Sequence, residues 1–141
     1  MRKAHQDYFL SDEEELLQPD RILAYLKETP WAKHYTPEIV RGILQNSLCM
    51  GAYLDGIQVG FARCVTDYTT VFYLEDVVIA PEHRGHGLGK ALVKATLEQE
   101  PICRLKGILV TDDAFSLYEQ FGFERDREIF MKKVSPLNGC F

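Results

Sequence analysis

The apolar residues of this chain repeat with two different periods, and the change of period separates helices from strands. Repeats of three or four residues predict four helices, which begin at residues 20, 36, 88 and 112 or 113. Runs of apolar, β-branched and aromatic residues, several of them in strict alternation, predict six strands. These strands cover residues 7–11, 49–54, 57–62, 71–80, 108–111 and 123–133.

Short turns indicate how the middle strands pair. Asp55-Gly56 is typical of a β-hairpin and residues 67–70 form the next turn, so the second, third and fourth strands make an antiparallel meander. A helix over 88–98 separates the fourth strand from the fifth, which predicts a crossover connection and a parallel pair. The expected fold class is therefore α+β, with a mixed, mostly antiparallel central sheet flanked by helices and a parallel pair between its fourth and fifth strands.

Length and composition bound the class of protein. A chain of 141 residues is expected to form one domain, 1–141, with residues 134–141 as a frayed tail. Its longest apolar runs are too short to span a bilayer, and Met1-Arg2-Lys3 is not followed by the apolar core of a secretory signal. We therefore expect a cytoplasmic protein with no membrane partner.

Charge and cysteine spacing exclude two further kinds of site. A net charge of −5 argues against broad nucleic-acid binding, which requires a basic surface. The four cysteines share no C-x-x-C spacing, and no clustered histidines accompany them, so no metal site is expected.

A strand, a glycine turn and a helix follow one another over residues 77–92. Glycines at 85, 87 and 89 let the backbone approach a ligand closely, and the first N–H groups of a helix carry partial positive charge. The natural occupant is a phosphate or pyrophosphate, with Arg84 and Lys90 adding formal charge at the two ends. The dinucleotide fingerprint G-x-G-x-x-G and the P-loop both fail to match this spacing.

The glycine segment resembles the GNAT superfamily of N-acetyltransferases, whose pattern Arg/Gln-x-x-Gly-x-Gly/Ala is matched by Arg84, Gly87 and Gly89. A second family motif, Leu-Tyr-x-x-x-Gly-Phe, is matched over residues 117–123, and the predicted order of elements is that of the GNAT fold. The resemblance implies acetyl-CoA as co-substrate and no metal, with the pyrophosphate on the loop amides and the pantetheine arm along the central strand. The implied acetyl-CoA-binding residues are Val77, Val78, Ile79, Arg84, Gly85, His86, Gly87, Leu88, Gly89 and Lys90.

The resemblance also implies a mechanism: an amine attacks the thioester directly in a ternary complex, without a covalent acyl-enzyme. A backbone N–H near Val77, opened by a strand bulge, is expected to face the acetyl carbonyl. Tyr118 is implied to protonate the leaving thiolate, the alternative being a core tyrosine.

The general base is predicted from the alternation of side chains along the central strand. Only one of Glu75 and Asp76 can then face the cleft, and Glu75 is the candidate base by analogy with family members. Asp76 is the alternative base, or else a buried carboxylate that ties the sheet to a helix. An ordered water chain is a third possibility.

Trp31 and Tyr35 lie in the connection between the first two predicted helices, which in GNAT proteins forms one wall of the acceptor site. They are the predicted acceptor-binding residues, although Trp31 is also suited to anchoring this loop in the core. The expected acceptor is a primary amine of a small molecule or an exposed amino group, and the sequence does not identify it. A non-catalytic CoA-binding or regulatory domain of the same fold is the alternative function, another acyl-CoA is an alternative donor, and a homodimer is an expected assembly.

Overall fold

A six-stranded mixed sheet organises the chain, as seen in a computed structural model that describes residues 2–126 and 128–135. The strands lie in the order of the sequence, and every neighbouring pair is antiparallel except the last. They are β1 (Arg2–His5), β2 (Tyr8–Ser11), β3 (Leu48–Leu54), β4 (Ile57–Thr66), β5 (Val71–Ile79) and β6 (Lys106–Ile108). The helices are α1 (Pro19–Lys27), α2 (Pro37–Gln45), α3 (Leu88–Glu98) and α4 (Phe115–Glu119). The predicted α+β class with a mixed sheet is confirmed.

The first strand, β1, was not predicted from the sequence. Arg2–His5 pairs with β2 through a tight turn in which Gln6 has a φ of 54°. Because β1 is an edge strand whose side chains are only half-buried or exposed, it lacks the apolar alternation that marks a strand. This extra strand moves the parallel pair to β5 and β6, so the prediction that it joins the fourth and fifth strands was wrong in number only.

The two faces of the sheet are covered by different helices. On one face, α1 and α2 pack against β3, β4 and β5 through Ile22, Leu26, Val40, Phe61 and Val78. On the other face, α3 packs its buried Leu88, Leu92 and Ala95 against the sheet. Both helix layers are amphipathic because apolar side chains recur every three or four residues. None of these helices, within the described residues, is long and apolar enough to cross a membrane.

A β-bulge interrupts β5. The pairing of β4 with β5 shifts by one residue between Phe61 and Arg63, so Asp76 and Val77 together oppose Ala62. Asp76 has a φ of 54°, in the left-handed region that non-glycine residues seldom adopt. The bulge expected near Val77 is therefore present in the fold.

Beyond the bulge, β5 and β6 separate. The parallel pairing covers only Val71, Phe72 and Tyr73 of β5. Within the described part of the chain, the β6-side edge of β5 from Leu74 to Ile79 consequently has no paired strand. The predicted strand over 108–111 starts two residues earlier and ends at Ile108, which leaves this gap in the sheet.

The predicted last strand over 123–133 is wrong for this structure. Residues 123–126 and 128–135 contain no strand, and the side chains of Ile129 and Met131 are 79% and 93% exposed. Three consecutive apolar residues do not define a buried face, and the neighbouring β6 offers only three residues of edge for pairing. The tail over 134–141 lies mostly outside the described residues, with 134 and 135 in no regular element.

Candidate functional site

A glycine loop, residues 80–87, connects the end of β5 to α3. Gly85 and Gly87 have φ values of +84° and +71°, a conformation in which a side chain is strained. Gly87 is the N-cap of α3, and none of the described side chains caps this helix start. Residues 84–87 are exposed, so the first-turn N–H groups are available to an anion.

The charged residues of this loop have different roles. The Arg84 Nε–H donates to the carbonyl of Ile79 across 3.0 Å and thereby braces the base of the loop, while Lys90 is exposed on the first turn of α3. Gly89 lies close to β5, since a Cβ there would be 3.8 Å from Cγ1 of Ile79. The predicted phosphate-binding residues are thus brought together in one exposed turn.

The predicted contacts of the pantetheine arm lie at the end of β5. The side chains of Val78 and Ile79 are buried in the two apolar clusters, and Leu88 is 1% exposed. These residues can therefore reach a ligand only through their backbone, which is how the resemblance uses them. Val77 is half-buried and lies at the bulge, beside the unpaired edge of β5.

A buried guanidinium joins the two candidate carboxylates. Nη2 of Arg63 lies 2.8 Å from Oε2 of Glu75, and Nε lies 2.7 Å from Oδ2 of Asp76. Arg63 is 6% exposed and stands on β4, opposite the bulge. Sequence reasoning missed it, because nothing local to residue 63 indicates which carboxylates will lie across the sheet.

The bulge also overturns the expectation that Glu75 and Asp76 lie on opposite sides of β5. Both carboxylates bind one guanidinium, which strict alternation would not allow. The physical reason is the left-handed backbone of Asp76, which rotates the strand at that residue. The bulge therefore places both acids at one site.

Asp76 is held by three donors from two segments of the chain. Its Oδ1 accepts from the indole Nε1–H of Trp31 at 2.9 Å, and its Oδ2 accepts from the hydroxyl of Tyr35 at 3.2 Å as well as from Arg63. Burial, followed by the negative charge of Asp76, raises the pKa of Tyr35 to about 12, so its hydroxyl remains a donor. Asp76 is 5% exposed and ties the sheet to the loop between α1 and α2.

Glu75 is less enclosed than Asp76, with its side chain 23% exposed. Burial raises the pKa of Glu75, the charge of Arg63 opposes that rise, and the charge of Asp76 adds to it. A carboxyl group with a raised pKa accepts a proton more readily than an ordinary glutamate near neutral pH. Of the two acids, Glu75 is the more accessible, because the side chain of Asp76 is only 2% exposed.

Tyr118 lies on the short helix α4, packed against the cluster that contains Phe72 and Leu74. Its ring meets that of Phe123 edge-on, with centroids 6.1 Å apart. Burial, and then the charge of Asp113, raise the pKa of Tyr118, so its hydroxyl stays protonated. Val77 packs against the same cluster, so both predicted residues border one apolar cluster.

The N-terminal hairpin contacts the glycine loop, and sequence reasoning did not find this contact. The side chains of His5 and Gln6 both bond the carbonyl of His86, at 2.9 and 3.2 Å. The hydroxyl of Tyr8 lies 2.9 Å from Nδ1 of His83, at the start of the loop. These partners are about 80 residues apart in sequence, so no local pattern could indicate them.

Known proteins are similar to this chain in sequence and in fold. The family model for the acetyltransferase (GNAT) domain matches residues 45–125. A Gibberella zeae protein is 32% identical and the match covers 92% of this chain and 86% of the relative. A GNAT structure from Xanthomonas campestris pv. campestris superposes with a TM-score of 0.87 at 36% identity and covers 94% of this chain and 96% of its own. Both are named "putative acetyltransferase".

A more distant neighbour has the same fold with a bound ligand. An aminoglycoside N-acetyltransferase in complex with CoA superposes with a TM-score of 0.65 at 21% identity, covering 95% of this chain and 98% of that one. At this identity the likeness shows the fold alone. In the portion of the chain that the structure describes, no group of three His, Cys, Asp or Glu side chains is placed to hold a metal ion.

Proposed function

Because this chain belongs to the GNAT family of acetyltransferases, we propose that it transfers the acetyl group of acetyl-CoA to a primary amine of a small molecule or to an exposed amino group. The observation that carries the proposal is the juxtaposition of three features. The unpaired edge of β5 runs into the exposed glycine loop, and a carboxylate pair lies at the bulge of the same strand.

The residues present fit acetyl-CoA. The first-turn amides of α3, with Lys90, would hold the pyrophosphate, because they combine free N–H groups with positive charge at an exposed turn. The backbone of Val77, Val78 and Ile79 would hold the pantetheine arm, because the edge of β5 there has unpaired strand hydrogen-bonding groups in the described structure. Acetyl-CoA supplies the activated acetyl thioester.

The side chains of the site would manage the protons. Glu75 would take the proton from the incoming ammonium group, since burial raises its pKa while leaving its side chain partly open. Tyr118 would donate its hydroxyl proton to the leaving thiolate, since its raised pKa keeps that proton in place until it is needed. The N–H near Val77, at the bulge, would donate to the acetyl oxygen.

Trp31 and Tyr35 would form the acceptor wall. Both donate hydrogen bonds to the carboxylate of Asp76, and Trp31 is 41% exposed. A rigid, partly exposed indole beside two acids and one guanidinium suits a cationic amine, which is attracted by the net negative charge and by the ring face. The identity of the amine is left to experiment.

The proposal is tested by two assays on the purified protein. Isothermal titration should show binding of acetyl-CoA and CoA, and no comparable binding of ATP or NAD. Release of free thiol from acetyl-CoA in the presence of a panel of amines should show transfer, and other acyl-CoA donors should be compared in the same assay. Binding without transfer to any amine would favour the non-catalytic CoA-binding domain.

A pair of glycine variants locates the pyrophosphate. Gly87→Val and Gly56→Val impose similar backbone strain, because the two φ values are +71° and +79°. Gly56 lies in the turn between β3 and β4, away from the glycine loop. We expect Gly87→Val to weaken acetyl-CoA binding while Gly56→Val binds as the parent does. If both variants bind acetyl-CoA equally well, the pyrophosphate does not bind at this loop.

A further inference from the structure

The hairpin of β1 and β2 reaches across α3 to the glycine loop. Its turn places the side chains of His5 and Gln6 against one acceptor, the carbonyl oxygen of His86. A carbonyl can only accept, so Nε2 of His5 must carry the proton in this bond. Two donors therefore hold one peptide group of the loop from the same side.

Holding this carbonyl also fixes the direction of the neighbouring N–H. The peptide between His86 and Gly87 is planar, and in a trans peptide the N–H points opposite to the carbonyl. Because the carbonyl faces the hairpin, the N–H of Gly87 faces away from it. Among the described residues none accepts this N–H, so it is available to a ligand.

Other contacts keep the hairpin against the loop and α3. Tyr8 is buried, and its hydroxyl bonds His83 at the start of the loop, with the two rings edge-on at 5.6 Å. Lys3 forms an ion pair with Glu98 at the other end of α3. The hairpin thus spans the helix and contacts both ends of it, which lets two side chains at its turn act as a fixed support.

We propose that His5 and Gln6 are positioning residues that orient the His86–Gly87 peptide for the pyrophosphate of acetyl-CoA. This inference rests on the proposed function, because it assigns the loop to that pyrophosphate. Without the two donors, the peptide is free to rotate, and binding must pay the entropy of ordering it. The loss falls on ligands that carry a pyrophosphate and not on the chemistry at the bulge.

The test compares His5→Ala, Gln6→Ala and the double variant with the parent. Since a hydrogen bond contributes about 0.5–1.5 kcal/mol, each single variant should raise the Kd for acetyl-CoA about 2- to 13-fold. The KM for acetyl-CoA should rise with kcat unchanged. His5→Gln should recover part of the affinity, because its amide can still donate.

A truncated donor and a control variant separate the inference from its alternatives. S-acetyl-N-acetylcysteamine lacks the pyrophosphate, so its kcat/KM should match the parent in every variant. Arg2→Ala, on the same hairpin but paired with Glu13 away from the loop, should bind acetyl-CoA as the parent does.

Three outcomes would overturn the inference. They are parental Kd values in the His5 and Gln6 variants, an equal loss with the truncated donor, or an equal loss in Arg2→Ala. If the parent itself does not bind acetyl-CoA, the proposed function fails and this inference fails with it. If the parent binds and the variants bind equally, only the inference fails.

Discussion

The indole N–H of Trp31 donates to Oδ1 of Asp76 across 2.9 Å, which joins the loop between α1 and α2 to the bulge of β5. Arg63 on β4 binds the other oxygen of the same carboxylate and also binds Glu75. The wall proposed for the acceptor and the acid proposed as base therefore share one scaffold. A substitution at Trp31 should therefore affect the position of Glu75, and a substitution at Glu75 should affect that of Trp31.

Trp31→Phe tests this connection by removing the donor and keeping an aromatic ring. Hydrogen bonds to charged groups contribute about 1.5–3 kcal/mol, so the free energy of unfolding should fall by roughly that amount. The KM for the acceptor should rise, while the Kd for acetyl-CoA stays at the parental value. Urea unfolding, steady-state kinetics and titration measure the three quantities. An unchanged acceptor KM would leave Trp31 a structural role alone.

Arg63→Met should be strongly destabilising. It leaves two carboxylates without their guanidinium, one of them 5% exposed, and breaking a buried ion pair costs about 3–5 kcal/mol. Arg104→Ala is the matched control, because Arg104 pairs with Glu100 on the surface and such pairs contribute about 0–1 kcal/mol. Urea unfolding should show a much larger loss in the free energy of unfolding for Arg63→Met than for Arg104→Ala. Similar losses in the two variants would contradict a stabilising role of the buried ion pairs.

The pH dependence of turnover tests Glu75. Burial raises its pKa above the ordinary 4.5, and only the deprotonated carboxylate can act as base. We expect kcat/KM to fall as the pH is lowered through this raised pKa, and Glu75→Gln to lose most activity together with that acid limb. If Glu75→Gln keeps the parental activity and the acid limb of the pH profile, an ordered water chain is the better candidate for the general base.

The same raised pKa affects stability with the opposite sign. The folded state holds the Glu75 proton more tightly than the unfolded state does, so this group's contribution to stability declines as the pH rises from 4.5 through the raised pKa. Urea unfolding across this range measures the free energy of unfolding of the parent and of Glu75→Gln. The difference between these two free energies should become smaller at low pH.

Tyr53→Phe should leave stability unchanged or increase it by up to about 1 kcal/mol, because a buried hydroxyl without a partner costs free energy. Tyr53 is 1% exposed, and its hydroxyl has no hydrogen-bond partner among residues 2–126 and 128–135. Tyr25→Phe is the control, since the Tyr25 hydroxyl donates to the carbonyl of Gln58 at 2.9 Å and its removal should be destabilising. Thermal unfolding compares the two, and a large loss in Tyr53→Phe would point to a bound water.

The parts of this protein that could be predicted from sequence are those that depend on neighbours in the chain. The glycine loop, the meander and the cap of α2, where Thr36 accepts from the N–H of Ile39, are local patterns. The helix starts predicted at residue 20 and at 112 or 113 were wrong, because the N-caps there are Gln18 and Ala114. Arg63 and His5 could not be found, because their roles depend on partners across the sheet or at the far end of the chain. The alternation rule failed at Asp76, where a left-handed residue rotates the strand.

Tyr118→Phe separates a catalytic tyrosine from a packing one. The substitution keeps the ring beside Phe123, so a purely structural hydroxyl should cost at most about 0.5–1.5 kcal/mol with turnover nearly unchanged. Because burial keeps this hydroxyl protonated, we expect the variant to lose about 10²-fold or more in kcat, with acetyl-CoA affinity close to the parent's. Turnover must be measured with the best acceptor under conditions where chemistry limits the rate, since slow product release would hide the loss. A variant with full kcat under those conditions would remove Tyr118 from the mechanism and leave solvent as the acid.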